Sequence, residues 1–333
     1  MSLRPESARL ASPAPIVETA IGYMAAKQLF AAADADLFAA LADGPLDVPQ
    51  IAARTGLPER TARILADAMA GLGLLERADG AYANTPATAT YLAGGKEGTD
   101  LRPFLGFLDS ISYGHWLGFG TTSRTAEPNQ LDLGGDRMTT FLAGVMTYNA
   151  LHARQLAEHF DFTPYRRVLD FGGLSGSFLA EALTAAPELT GTFFSAGELV
   201  GHARGVLEEA GVADRVEIAE GDAVVGEVPG GFDLVLLEHV IHRFDAEQNR
   251  DIARRARAAA ADGATLVLLD FLLDSDEHQR PIDALHAGEY LVIDGTVVYP
   301  EDEVRGWLRE AGWEPLETRA LPGSPRIIIA EAR

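Results

Sequence analysis

The chain of 333 residues is longer than one ordinary hydrophobic core requires, which predicts two domains. Its 47% hydrophobic and 23% charged residues are typical of a globular protein, and the absence of cysteine excludes disulfides and thiolate metal sites. The net charge of −22 argues against nucleic acids and anionic membranes as partners, because both are bound through Lys and Arg. No apolar run is long enough to span a membrane, so the cytoplasm is the expected location.

The first third of the chain is predicted to be helical. Residues 1–15 are polar and are expected to form a flexible tail. An Ala-rich helix follows, and then a helix, a turn, a second helix and a hairpin with Asp79-Gly80 at its tip, which is typical of a winged helix. The second helix carries Arg60 and Arg63 as its only cations in an acidic region, so a structural or dimer-forming module is favoured over DNA recognition.

From Arg167 onward, apolar strands alternate with amphipathic helices. This alternation predicts an α/β domain with a mostly parallel sheet and helices on both faces. The predicted strands are "RVLDF", "TGTFFS", "RVEIAEGD", "FDLVLLEHV", "ATLVLLDFLL", "RIIIAEA" and the weaker "WEPLETRAL". Ligands of such sheets bind beyond the carboxyl ends of the strands. The first five strands end near polar residues at Asp170, Ser195, Asp222, His239/His242 and Asp270.

The first of these strands runs into a glycine loop, in the stretch "VLDFGGLSGSFLAEAL". Strand, glycine loop and helix in this order indicate a nucleotide-type site, because glycine lets the backbone approach a ligand closely and adopt positive φ. The loop provides Gly172, Gly173 and Gly176, but Leu174 stands where a further glycine is expected. By itself, such a loop is equally compatible with an ordinary strand-to-helix turn.

The motifs "LDFGGLSG", "AEGD" and "LLEHVIHRFDAEQ" resemble the small-molecule O-methyltransferases that use S-adenosylmethionine, the group with plant phenolic and bacterial antibiotic-tailoring enzymes. The resemblance covers about residues 18–331. It implies a winged-helix dimerisation and substrate-lid domain at 16–163 and a methyltransferase-type, Rossmann-like catalytic domain at 164–333. It also implies a homodimer, the cofactor S-adenosylmethionine, and methylation of a hydroxyl on an aromatic or polyketide-like secondary metabolite.

The resemblance also assigns roles to single residues. His242 is the implied general base and Asp270 its orienting acid, which suits imidazole chemistry near neutral pH. The implied cofactor contacts are Asp170, Gly172, Gly173, Gly176, Ser195, Asp222, Ala223 and Glu238. The implied substrate contacts are Met146, Asn149, Asp283 and His286. The second acid that the family places near Val298 is missing, although Glu301 and Glu303 follow shortly after.

Three positions depart from the family pattern at the cofactor. Leu174 replaces a glycine, Ser195 replaces the acid that holds the ribose, and Glu238 replaces a lysine. Weak or lost binding of S-adenosylmethionine is therefore one expectation. It supports an alternative function, in which the fold catalyses an acid/base cyclisation, rearrangement or elimination without methyl transfer. A non-enzymatic module built on the winged helix is disfavoured by the retained His242–Asp270 pair.

No metal site is expected from the sequence. His239 and His242 are the close histidine pair, and three residues apart on a strand they are expected to point to opposite faces.

Overall fold

The computed structural model describes residues 11–95 and 98–333. Most of the tail predicted at 1–15 lies outside the described residues, and the first helix begins at Ala14. The chain divides into two compact units, the first ending at Ser110 and the second spanning Ile111–Arg333. This division precedes the predicted boundary at residue 163, because the long helix before that boundary packs on the sheet of the second unit.

The first unit is helical and contains one small hairpin. Its elements are α1 Ala14–Asp34, α2 Leu37–Ala40, α3 Val48–Thr55, α4 Glu59–Gly71, β1 Leu75–Ala78, β2 Ala81–Asn84, α5 Pro86–Tyr91 and α6 Arg102–Phe107. A capping box of Asp47 and Gln50 begins α3. Asp79 and Gly80 join β1 to β2 with positive φ at both positions, as a tight hairpin turn requires. Helices α3 and α4 with this hairpin form the predicted winged helix.

The first half of α1 exposes a set of large apolar side chains. Ile16 is 75% exposed, Val17 51% and Tyr23 53%, and Ile21 and Met24 are exposed as well. Apolar side chains at this density on one helix indicate a surface that another protein covers.

The second unit combines helices with a central sheet. Its elements are α7 Tyr113–Trp116, α8 Phe119–Thr125, α9 Arg137–His159, β3 Arg167–Phe171, α10 Ser177–Ala185, β4 Thr190–Ser195, α11 Gly197–Glu209, β5 Val216–Glu220, β6 Phe232–Glu238, α12 Ala246–Ala259, β7 Ala260–Asp270, α13 Pro281–Ile293, α14 Glu301–Glu310, β8 Trp313–Ala320 and β9 Arg326–Ala332. The predicted strands are all present, although β6 ends at Glu238 rather than Val240, and β7 begins four residues before the predicted Ala264.

The described strands of the second unit form one sheet in the order β5-β4-β3-β6-β7-β9-β8. The five strands from β5 to β7 are parallel, and β9 runs antiparallel to both β7 and β8. Both faces are buried, one against α12 and α14 and the other against α9, α10 and α11. This burial explains why the central strands are nearly continuous apolar runs. The carboxyl ends of β3, β4, β6 and β7 meet at one edge of the sheet.

Candidate active site

The glycine loop follows β3 and is tied to its neighbours by hydrogen bonds. Gly172 and Gly176 have φ of 81° and 72°, which suit residues without a Cβ. Gly173 donates its N–H to Asp170 Oδ1 at 3.1 Å, and a Cβ at Gly173 would overlap with the Asp170 carboxylate. These glycines therefore let the backbone turn tightly over Asp170 at the end of β3.

Leu174 in this loop and Ser195 at the end of β4 are both compatible with the loop conformation. Leu174 is half-buried and is not among the described residues with positive φ, so its side chain costs no left-handed strain. Ser195 is buried at the end of β4 and donates its hydroxyl to the carbonyl of Gly173 at 2.9 Å. Ser195 thus supports the loop backbone from the neighbouring strand.

Two further predicted cofactor residues follow β5. Asp222 is exposed and its Oδ1 accepts a hydrogen bond from Val224 N at 2.9 Å, while Ala223 is buried against Gly172. A residue that sequence reasoning missed also reaches this place. Arg243 donates a hydrogen bond from its guanidinium to the carbonyl of Gly172. Burial lowers the pKa of Arg243, while nearby carboxylates, Asp170 and Asp222 among them, act in the opposite direction.

His242 and Asp270 form a direct hydrogen-bonded pair. His242 lies in a 3₁₀ turn, Ile241–Arg243, just after β6, and Asp270 is the last residue of β7. Nδ1 of His242 lies 2.9 Å from Oδ2 and 3.1 Å from Oδ1 of Asp270. With its proton on Nδ1, the ring keeps a lone pair on Nε2, which is the arrangement of a general base oriented by a carboxylate.

Asp270 remains ionised although it is buried. Burial acts to raise the pKa of Asp270, but its interactions with His242 and His239 and the hydrogen bonds from His242 and Phe271 N lower it overall. A buried carboxylate held in this way both fixes the imidazole tautomer and stabilises the imidazolium that forms on proton transfer.

His239 joins the same group, which corrects the sequence prediction that His239 and His242 point to opposite faces. Strand β6 ends at Glu238, and His239 has a left-handed φ of 54°, so strand alternation no longer applies. His239 Nδ1 lies 3.9 Å from Asp270 Oδ1, and polar atoms of the three side chains lie within 4.8 Å of one another. The prediction was wrong because it assumed that both histidines lie on β6, whereas β6 ends before His239.

His152 of α9, which the sequence analysis did not predict, is hydrogen-bonded to His239. His152 Nδ1 lies 2.8 Å from His239 Nε2, and His152 Nε2 is buried without a hydrogen-bond partner among the described residues. Orphaned buried N–H groups are rare, so the proton of His152 lies on Nδ1 and is donated to His239. The proton of His239 then lies on Nδ1, on the side of Asp270.

Aromatic rings surround the His242–Asp270 pair. The ring of Tyr290 lies 4.5 Å from that of His242, and the ring of His286 stacks on Phe271 at 3.7 Å. Tyr148 Oη lies 3.2 Å from His286 Nε2. The predicted pocket residue His286 is therefore part of an aromatic wall beside the histidine.

The other predicted substrate residues lie in different surroundings. Met146 is half-buried on α9, and Asn149 is buried and hydrogen-bonded to Ser175 in the glycine loop. Asp283 is buried and accepts a hydrogen bond from Arg326 Nε at 3.0 Å. Asn149 and Asp283 each have a partner within the protein, and their assignment to the substrate pocket stays a prediction.

Glu301 belongs to the same ion-pair network as Asp283. Its Oε2 lies 3.4 Å from Arg326 Nη1, and its Oε1 lies 3.5 Å from Arg305 Nη1. Glu303 is exposed in the first turn of α14. Glu301 is thus the first residue of α14 and is bound by two arginines.

The comparisons with known proteins agree with this geometry. The profile of the O-methyltransferase domain matches residues 118–314, and the profile of the O-methyltransferase dimerisation domain matches residues 17–94. The chain belongs to the O-methyltransferase family. Among the described residues, no helix is long and apolar enough to cross a membrane.

Individual relatives extend over nearly the whole chain. The 3-hydroxy-5-methyl-1-naphthoate 3-O-methyltransferase of Streptomyces sahachiroi is 33% identical over 95% of this chain and 94% of its own. The tetracenomycin polyketide synthesis 8-O-methyl transferase of Streptomyces glaucescens is 27% identical over 95% and 96%. The crystal structure of the S-adenosylmethionine-dependent methyltransferase SibL superposes with a TM-score of 0.83 at 26% identity, covering 96% of this chain and 99% of its own.

Acid is expected to destabilise this O-methyltransferase. Burial lowers the pKa of His239 and of His286 to about 4 each. The unfolded chain binds protons at these rings near pH 6.5, so the stabilisation is complete above about pH 6.5 and is lost as the pH falls towards about 4. Each pKa unit of difference corresponds to about 1.4 kcal/mol per ring.

Urea unfolding between about pH 7 and pH 5 measures this effect through its midpoint. The variant His286→Phe is expected to lose part of the pH dependence, while His202→Phe, at an exposed position of α11, retains all of it. An unfolding free energy that stays constant over this pH range would contradict the assignment of neutral buried histidines.

Proposed function

We propose that this protein transfers a methyl group from S-adenosylmethionine to a hydroxyl group of an aromatic or polyketide-like secondary metabolite, with His242 as the general base. The observation that carries the proposal is the hydrogen bond between His242 Nδ1 and the buried carboxylate of Asp270. It leaves Nε2 as the basic nitrogen at the carboxyl edge of the sheet, where ligands of such sheets bind.

The loop after β3 fits the cofactor. Gly172 and Gly176 take positive φ, Gly173 brings its backbone against the Asp170 carboxylate, and Asp222 offers an exposed carboxylate just after β5. When bound, S-adenosylmethionine supplies a methyl group on a sulfonium centre that transfers to a nucleophilic oxygen. The residues of the glycine loop would hold and orient the cofactor. His242 takes the proton from the substrate hydroxyl as its oxygen becomes nucleophilic.

The aromatic wall supports a planar substrate. Tyr290 lies beside His242, and His286 stacks on the buried ring of Phe271, so aromatic side chains form this side of the site, which favours flat, apolar ligands. One relative is named for a hydroxynaphthoate and another for tetracenomycin polyketide synthesis, which supports an aromatic or polyketide-like substrate here. The proposed location is the cytoplasm, because a cysteine-free chain needs no oxidising compartment.

Methyl transfer is favoured over the acid/base alternative. The relatives compared above are methyltransferases by name, and no observation on the site favours a reaction without a methyl donor. The test is incubation of the purified protein with S-adenosylmethionine labelled in its methyl group and a panel of hydroxynaphthoates and hydroxyanthraquinones. Label is expected to appear as an aryl methyl ether. Conversion of an acceptor without transfer of label would overturn the proposal.

The protein is expected to be a homodimer that α1 helps to hold together. Stable dimers commonly bury more than about 2,000 Å², and α1 exposes apolar side chains within the matched dimerisation domain. Light scattering should give twice the chain mass of 35.5 kDa. Ile21→Glu is expected to shift the mass towards the monomer, and Glu18→Gln on the same helix should leave it unchanged. A monomeric mass for the unaltered protein would rule the dimer out.

A further inference from the structure

The side chain of Glu238 is buried at the carboxyl edge of the sheet without a partner. It is the last residue of β6, its exposure is 1%, and no neighbouring described residue donates a hydrogen bond to either of its carboxyl oxygens. Buried polar groups in folded proteins are nearly always hydrogen-bonded, so an orphaned carboxyl group calls for an explanation.

A second buried carboxyl group lies beside it. Asp170 is the penultimate residue of the adjacent strand β3 and pairs in register with Leu236, so Glu238 lies two residues further along the same face of β6. Asp170 is 1% exposed and accepts the N–H of Gly173 in the glycine loop. The two carboxyl groups therefore face the loop from neighbouring strands.

The charges around this pair are few. Arg243 is the nearby cation, and its guanidinium is bonded to the carbonyl of Gly172. Asp222 lies beyond β5 and is exposed, and the adjacent His239 is engaged by His152. Burial, and then the neighbouring Asp170, raise the pKa of Glu238 well above its usual range. Burial raises the pKa of Asp170 to about 7, against the opposing effects of Gly173 N–H and Arg243.

We propose that Glu238, together with Asp170, binds a cationic group of the amino-acid portion of S-adenosylmethionine, and that Glu238 gives up its proton to solvent when that group binds. This inference rests on the proposed function. A positive charge gives the orphaned carboxylate its missing partner, and a charge-assisted hydrogen bond is among the stronger ones. The glutamate that replaces the family's lysine then attracts the cofactor through its ammonium or sulfonium instead of repelling its carboxylate.

Calorimetry in buffers of different ionisation enthalpy measures the protons released when S-adenosylmethionine binds. The unaltered protein is expected to release a large fraction of about one proton per site near pH 7, and its affinity is expected to rise with pH. Glu238→Gln keeps the shape of the side chain but removes its charge. It should abolish most of the release and weaken binding about 10- to 100-fold.

S-adenosylhomocysteine separates the two possible cations, because it keeps the ammonium and lacks the sulfonium. Proton release with both compounds assigns the site to the ammonium, and release with S-adenosylmethionine alone assigns it to the sulfonium. Glu217→Gln, an exposed position of β5, makes the same change of charge and should behave as the unaltered protein. Thermal unfolding of Glu238→Gln checks that it is folded.

Equal proton release in the unaltered protein and in folded Glu238→Gln would overturn the inference and leave the proposed function standing. So would an affinity that does not change with pH. Failure of the unaltered protein to bind either compound would contradict the proposed function itself, and the inference with it.

Discussion

Replacing His242 with alanine is expected to lower kcat by about 100-fold or more, because proton removal by a positioned base contributes this much or more to a rate. His242 lies in a turn at the edge of the sheet and not within either of its buried apolar faces. The melting temperature should therefore change little. Steady-state kinetics with the aryl acceptor, together with thermal unfolding, measure both quantities.

The matched control for this change is His202→Ala, which removes an exposed imidazole from α11. It should retain full activity. Full activity in His242→Ala would remove the residue from the mechanism. A large fall in melting temperature with unchanged kcat would show that its role is structural.

Replacing Asp270 with asparagine is expected to lower kcat about 100- to 1,000-fold, because an amide cannot fix the imidazole tautomer or balance an imidazolium. Asparagine keeps the size of the side chain, and the buried position next to Phe271 N is retained. The loss should appear mainly in kcat, since Asp270 acts through His242, whereas KM should change little. The pH profile of kcat in the asparagine variant should differ from that of the unaltered enzyme.

Asp270→Glu is the conservative comparison, because it retains the carboxylate and moves it by one methylene. It should recover much of the activity that asparagine loses. An asparagine variant with an unchanged pH profile would mean that the carboxylate does not govern the base. Equal losses in the two variants would point to packing and not to charge.

The sheet was predictable from the sequence because its central strands are buried on both faces. A run such as "RVLDF" or "TGTFFS" has few alternatives to a core strand, and β3 and β4 have the predicted bounds. The weaker predicted strand "WEPLETRAL" is also present, as β8. It pairs with β9, the strand formed by the apolar segment "RIIIAEA". The His242–Asp270 pair was implied by the family resemblance. It agrees with the sheet, because neighbouring parallel strands bring their carboxyl ends to one edge.

Other parts of the site depend on features that no local pattern contains. The approach of His239 to Asp270 requires that β6 stop at Glu238 and that His239 take a left-handed conformation. His152 reaches His239 from a helix 87 positions earlier in the chain. Asp283 is bound by Arg326, 43 residues later, and helical periodicity contains no signal for such a distant ion pair.

Leu174 shows a third kind of limit. The family resemblance predicts a glycine at position 174, but in the described loop the positive φ angles are at Gly172 and Gly176. A glycine pattern shows which loop positions can adopt positive φ. It does not determine which of them do.

The antiparallel strand β9 has a consequence for how this protein is made. It lies between β7 and β8, yet it is the last strand of the sheet in chain order. While the ribosome is still extending the chain, β7 lacks its neighbour on one side and β8 has nothing to pair with. The apolar edge of β7 therefore stays open until Arg326–Ala332 has been synthesised, roughly 3 to 12 seconds after β7 itself at ordinary rates of synthesis. During that interval the nascent chain presents an unpaired, hydrophobic strand edge, which is the kind of surface through which incomplete chains aggregate.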